Sequence, residues 1–98
     1  MEKVREFALS ADDIFEELVE KDGYRLNHVI IKPGKIFPTH PTDANITIII
    51  VDGILTLKLE EQDPCHYNKG QIIEIAKGVS SELGNTSEAR TEVFVIKS

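Results

Sequence analysis

Residues 34–53 read GKIFPTHPTDANITIIIVDG, and this stretch decides the fold. At its start, Lys32-Pro33-Gly34-Lys35 has the composition of a type II turn, with proline fixing φ at the first central residue and glycine taking positive φ at the second. Pro38 and Pro41 then flank Thr39 and His40. Proline removes ladder donors, so this piece reads as an irregular or edge segment. The apolar run from Ile46 to Val51 is a strand, and Asp52-Gly53 separates it from a second strand over residues 54–60 through the strongest short hairpin signal, a type I′ turn. Counting back from that turn pairs Ile50 with Leu55, Ile48 with Leu57 and Ile46 with Leu59, an aliphatic face made for a core. The opposite face pairs Val51 with Ile54, Ile49 with Thr56 and Thr47 with Lys58. Its apolar end asks for cover from the N-terminal segment or from a second subunit.

Upstream of this stretch, residues 24–31 alternate with period two. Tyr24, Leu26, His28 and Ile30 point one way, while Arg25, Asn27, Val29 and Ile31 point the other. His28 alternates with apolar residues and reads as a satisfied core or pocket histidine. Residues 3–9 suit a short strand. Ser10 then stands as a helix N-cap, and Ala11, Ile14, Phe15 and Leu18 fall on one helical stripe that ends at Lys21-Asp22-Gly23. The spacing thus predicts a short N-terminal helix packed on the barrel, the alternative being that residues 18–21 form a strand hairpinned through Asp22-Gly23. Downstream, residues 60–70 form a polar connection and residues 71–76 a strand. Residues 79–83 form another, Asn85 serves a turn, and residues 91–97 (TEVFVIK) close the chain. Seven or eight short strands between glycine-bearing turns indicate an all-β sandwich or barrel.

Ninety-eight residues make one domain, residues 1–23 an extension and residues 24–98 the barrel. The chain carries 11 Lys and Arg against 17 Asp and Glu, a net charge of −6, with its basic residues scattered singly. That distribution argues against a nucleic-acid partner, which needs a basic face to neutralise phosphates. The one cysteine, Cys65, can form no intramolecular disulfide, and no apolar run reaches spanning length. The N-terminus lacks the apolar region of a signal peptide, so the expected location is the cytoplasm and no membrane partner is expected.

The glycine spacing from residue 34 onward resembles that of the cupin family. Gly34, five residues, His40 and then Gly53 keep the frame of the first cupin motif. Gly70, five residues, Ala76-Lys77-Gly78, two residues, Ser81, three residues and Asn85 keep that of the second. The resemblance implies a small β-barrel of jelly-roll type and an interior site. In metal-binding cupins that site holds Fe, Mn, Ni or Zn through two His and a Glu of the first motif and a His of the second. The matching positions here are His40, Thr42, Ile46 and Ser81, so one ligand of the four remains.

One imidazole with two hydroxyls gives little metal affinity, since catalytic zinc typically keeps three protein ligands. The expectation is therefore no cofactor. A divalent metal through His40 would require ligands improvised from Asp43, His28 or His66. Three functional classes follow. The first is a metal-free barrel binding a small organic molecule among His40, Thr42, Ile46, Ser81 and His28. The second is an isomerase- or oxygenase-type enzyme using His40 as acid or base, or as part of an improvised metal site. The third is a homodimer whose task lies on its surface, through the patch of Ile49, Val51 and Ile54.

Overall fold

The computed structural model describes residues 1–9, 13–38 and 43–98. Nine strands occur among them: β1 (Ile14–Lys21), β2 (Tyr24–Ile31), β3 (Ile36–Pro38), β4 (Ile46–Asp52), β5 (Ile54–Leu59), β6 (Cys65–Asn68), β7 (Ile72–Ile75), β8 (Ser81–Gly84) and β9 (Thr91–Lys97). They form two antiparallel sheets. One runs β1-β2-β9-β4-β7 and the other β3-β8-β5-β6. This is an all-β sandwich, as the turn spacing indicates, of the jelly-roll type that the cupin resemblance implies. Val29, Ile31, Ile46, Ile48, Ile50, Val93 and Val95 from the first sheet meet Leu55 and Leu57 from the second, and Phe37, Tyr67 and Leu83 close around them. Each fully buried aliphatic side chain contributes roughly 1.5–3 kcal/mol, which is what holds a domain of this size together.

Four sequence expectations are corrected. No helix forms among the described residues; Ile14 onward is a strand, while Ser10, Ala11 and Asp12 lie outside them. The realised form is the alternative hairpin: Lys21 pairs with Tyr24 across Asp22-Gly23, with Gly23 at φ +71°. Pairing along the whole length of β2 outweighs an isolated short helix, which is marginal by itself. Residues 3–9 form no strand, although residues 7 and 8 make defined contacts described below. The polar connection 60–70 contains a strand of its own, β6, whose Tyr67 covers the core.

The fourth correction concerns Asp52-Gly53. β4 and β5 do not pair with each other: β4 pairs with β7 and β9, and β5 with β6 and β8. A type I′ turn needs positive φ at both central residues, yet the one described non-glycine residue with positive φ is Glu60, while Gly53 stands at +80°. The turn is instead a corner that carries the chain from one sheet to the other. The facing of side chains survives this change, because alternation along each strand does not depend on the partner. Ile46, Ile48, Ile50, Leu55 and Leu57 are all buried, whereas Val51 and Ile54 are exposed.

The Pro33-Gly34 turn is as read, with Gly34 at φ +84° and the Lys35 N–H donating to Lys32 O at 3.2 Å. Backbone bonds join the loops at each end of the barrel. Gly34 N–H reaches Asn85 O and Gly70 N–H reaches Ile50 O at one end, while Glu60 N–H reaches Ser80 O and Asn45 N–H reaches Ser98 O at the other. No helix among the described residues is long and apolar enough to cross a membrane.

Candidate functional site

The end of the barrel holding the 60–64 and 76–80 loops is the candidate site. Ile46 begins β4 there, packed in the core beside its partner Ile75. Ser81 begins β8, paired with Leu59 and only 4% exposed. Strand alternation turns both inward, from opposite sheets. The connection from β3 to β4 carries His40 and Thr42, which lie outside the described residues. A small depression of about 150 Å³ lies at this end between Lys58, Glu60, Ser80, Ser81 and Glu82; since Lys58 and Glu82 pair on the outward face of the second sheet, it opens on the outside of the barrel. Outside the barrel at the same end, an open cleft of about 690 Å³ runs between the β1–β2 hairpin and the chain terminus, lined by Tyr24, Arg25, Asp43 and Lys97 among others. A bulge between Glu17 and Val19 puts Glu17 and Glu20 on one side of β1, and the Glu20 carboxylate raises the Glu17 carboxyl above its usual range.

Of the four matching positions, the two that are described do not fit a metal of the kind cupins bind. Ile46 offers no donor atom and is buried in the aliphatic core, and Ser81 supplies a hydroxyl where the family has an imidazole. Of the improvised set, His66 and His28 do not come together. His66 sits on β6 opposite Thr56, on the outer face of the second sheet, with Nε2 at 3.3 Å from Thr86 Oγ1. His28 lies on the outer face of the first sheet. Among the described residues no group of three or more His, Cys, Asp and Glu converges on a metal position.

His28 is thus separated from the interior positions with which the sequence grouped it. Its neighbours Val29 and Ile31 enter the core, while its ring, 0% exposed, is caught between two carboxylates. Nδ1 is 2.7 Å from Glu16 Oε1 of β1, and Nε2 is 2.6 Å from Glu92 Oε2 of β9. Phe7 and Phe94 close over the ring, with centroids at 5.0 and 4.9 Å. The Ala8 N–H donates to the same Glu16 Oε1 at 2.9 Å. That amide and, after it, the His28 imidazole hold the Glu16 carboxyl below its ordinary value of 4.5. No sequence signal linked these groups, because residues 16, 28 and 92 meet only through the β1–β2–β9 register.

Asn85 has the structural role expected of it. It is fully buried, and its amide donates to Ile31 O and Ala89 O, each at 2.8 Å. Its Oδ1 accepts from the Ser87 N–H at 3.0 Å and the Ser87 hydroxyl at 2.6 Å. Cys65 is exposed and unbridged.

Comparison with known proteins agrees with this architecture. The family described as "Cupin domain" matches residues 27–97. Uncharacterized protein MJ0764 of Methanocaldococcus jannaschii is 33% identical over 98 residues, covering 99% of this chain and 84% of its own. A crystal structure of the same name, described as an RmlC-like cupin family protein with a double-stranded β-helix fold, superposes with a TM-score of 0.95 at 32% identity, over 100% of this chain and 91% of that one. The cupin domain of Schizosaccharomyces pombe Cnp3 is similar in fold, with a TM-score of 0.82 at 13% identity over 94% of this chain and 68% of that one. With the strand order, the turn glycines and a family match spanning most of its length, the chain belongs to the cupin family.

Proposed function

We propose that this protein is a cupin that binds a small polar organic molecule at the Ile46–Ser81 end of its barrel without a metal. The observation that carries this reading is Ser81, a buried, inward-facing hydroxyl at one end of a largely apolar interior, toward which the buried Asn27 of β2, paired with the core residue Val95, also lies. Polar groups converging at the mouth of an apolar barrel are the usual makings of a ligand site. His40 and Thr42 belong to the connection that enters β4 at this mouth, and they supply further hydrogen-bonding groups in the proposal.

A thermal-shift screen of metabolites tests it. Saturation at about a hundred times Kd stabilises a fold by about 2.7 kcal/mol, which for a domain of this size raises Tm by on the order of ten degrees. That shift is expected to vanish in both Ser81→Ala and His40→Ala. A screen with no stabilising compound, or one whose hits ignore both substitutions, counts against the site. Elemental analysis of untagged protein purified without chelator is expected to find less than about a tenth of an equivalent of transition metal; a stoichiometric metal would reverse the reading.

A second reading, a homodimer, is favoured by the outer surface. Ile72 is 63% exposed, Val51 43% and Ile54 38%. Ile72 pairs with Ile49, which pairs in turn with Phe94, so an apolar row crosses the outer face of the first sheet. Exposed apolar side chains beside such a row favour an interface. Sedimentation equilibrium at micromolar concentration is expected to show a dimer, which Ile72→Glu weakens by roughly tenfold or more. A monomer would refute this second reading and leave the first untouched.

A further inference from the structure

The N-terminal segment is fastened to the first sheet through one cluster of titratable groups. Both ring nitrogens of His28 lie within hydrogen-bond distance of a carboxylate oxygen, so for both contacts to be hydrogen bonds the cluster holds two protons. The ring stands between two carboxyl groups and is wholly shielded on the histidine side. Glu16 and Glu92 keep 25% and 14% of their side-chain surface exposed, so water can reach the carboxylates but not the ring. The shield is the chain's own N-terminal segment: Phe7 lies on the imidazole and edge-on to Phe94, with ring centroids 5.2 Å apart, and Ala8 is tied to Glu16. Glu16 Oε1 therefore serves two donors at once, one holding the imidazole and one holding the strap.

We propose that Glu16, His28 and Glu92 form a proton-operated latch, which keeps residues 7 and 8 down on the sheet while Glu16 is ionised and lets them lift when Glu16 is protonated. Protonating Glu16 converts the shared acceptor into a carboxylic acid and weakens both bonds. A buried polar ring whose partner is weakened is costly, and the cheapest relief is to admit water by lifting Phe7 off the ring.

The groups facing the ring are few. β1 contributes Glu16, β9 contributes Glu92 and Phe94, and the strap contributes the Phe7 ring and the Ala8 amide. Glu17, Glu20, Arg25 and Lys97 fall on the other face of the sheet by register, with Arg25 paired to both Glu20 and Lys97. The direction in pH follows from Glu16. Its carboxyl lies lower in the folded protein than the ordinary 4.5, so the strap's attachment is complete above that value and is lost as pH falls through the lowered one.

The chain contains no tryptophan, so Phe7→Trp places a single reporter at the latch. Its emission is expected to move to that of a water-exposed indole as pH is lowered from about 7 to about 3, while far-UV circular dichroism still reports the barrel. In the unaltered chain, the Ala8 amide should lose roughly tenfold or more of its exchange protection over the same interval while Ile48 and Val93 keep theirs. In Glu16→Gln, which retains an acceptor for Ala8 but cannot titrate, both responses should flatten. The proposal is overturned if the transition persists in Glu16→Gln, if it coincides with loss of the barrel, or if Ala8 is unprotected already at neutral pH. Where Phe7→Trp does not dock, the Ala8 protection profile of the unaltered chain decides.

Discussion

Replacing Gly53 with alanine is expected to destabilise the fold by roughly 3–5 kcal/mol, a large share of what a domain of this size possesses. Two costs coincide. Gly53 has φ +80°, a conformation that costs an alanine about 1–2 kcal/mol. A Cβ built on it would also stand 2.5 Å from the Arg90 carbonyl oxygen and 2.9 Å from the Thr91 Cα, which are backbone atoms that cannot turn aside. The corner is fixed on every side. Lys69 N–H donates to Gly53 O, Gly70 N–H to Ile50 O, and the Thr91 hydroxyl to Ile54 O at 2.6 Å. Relief at Gly53 would thus have to be drawn from the β6–β7 turn or from the start of β9. The control is Gly70→Ala: Gly70 has φ +89° but nothing within 4 Å of an added Cβ. That variant should lose only the strain, about 1–2 kcal/mol. Urea denaturation of both variants checks the difference; equal losses would mean that the approach of Arg90 does not constrain the corner.

Gly53 also shows how far the sequence could be read. The dipeptide Asp52-Gly53 marks a reversal of the chain, and that much was legible. Whether the reversal closes a hairpin or turns a corner between sheets depends on which strands compete for the edges of β4. Those competitors, β7 and β9, lie 20 and more residues downstream. The alternation of apolar side chains is a local property, so the core membership of Ile46, Ile48, Ile50, Leu55 and Leu57 was legible even with the wrong partner assigned.

The N-terminal region went the other way for a related reason. The apolar spacing of Ile14, Phe15 and Leu18 fits a helix as well as a strand, and what decides is the free edge of β2, which lies outside that window. The bulge after Glu17 then shifts the register, so that no single period describes β1. At the candidate site, the turn glycines and Ser81 were readable from fixed intervals. His28 could be recognised as inward or outward only by knowing which face of β2 the core takes. The spacing gave its parity but not the identity of the face, and Glu16 and Glu92 carried no signal at all.

The second large effect is expected at Asn85, where aspartate should cost roughly 3–5 kcal/mol despite its nearly identical shape. The Asn85 amide nitrogen donates both its hydrogens, to Ile31 O and Ala89 O, and the residue is fully buried. Aspartate replaces that donor with an oxygen facing two carbonyl oxygens, leaving both acceptors unsatisfied and a buried charge held only by the Ser87 donors. Alanine removes these bonds and the two accepted from Ser87 but brings neither repulsion nor a buried charge, so Asn85→Ala should lose less, about 2–3 kcal/mol. The order of the two variants therefore separates hydrogen bonding from mere filling of space: if shape were what mattered, aspartate would be the milder change. Acid should discriminate further, since protonating the aspartate restores one donor and the deficit of Asn85→Asp should shrink as pH falls, while that of Asn85→Ala should not. Asn85 lies at the barrel end opposite Ser81, tied through its own backbone to Gly34 and Lys35. A folded Asn85→Ala should accordingly be less stable yet bind at the Ser81 mouth as the parent does, and weakened binding in that variant would mean that the two ends of the barrel are coupled.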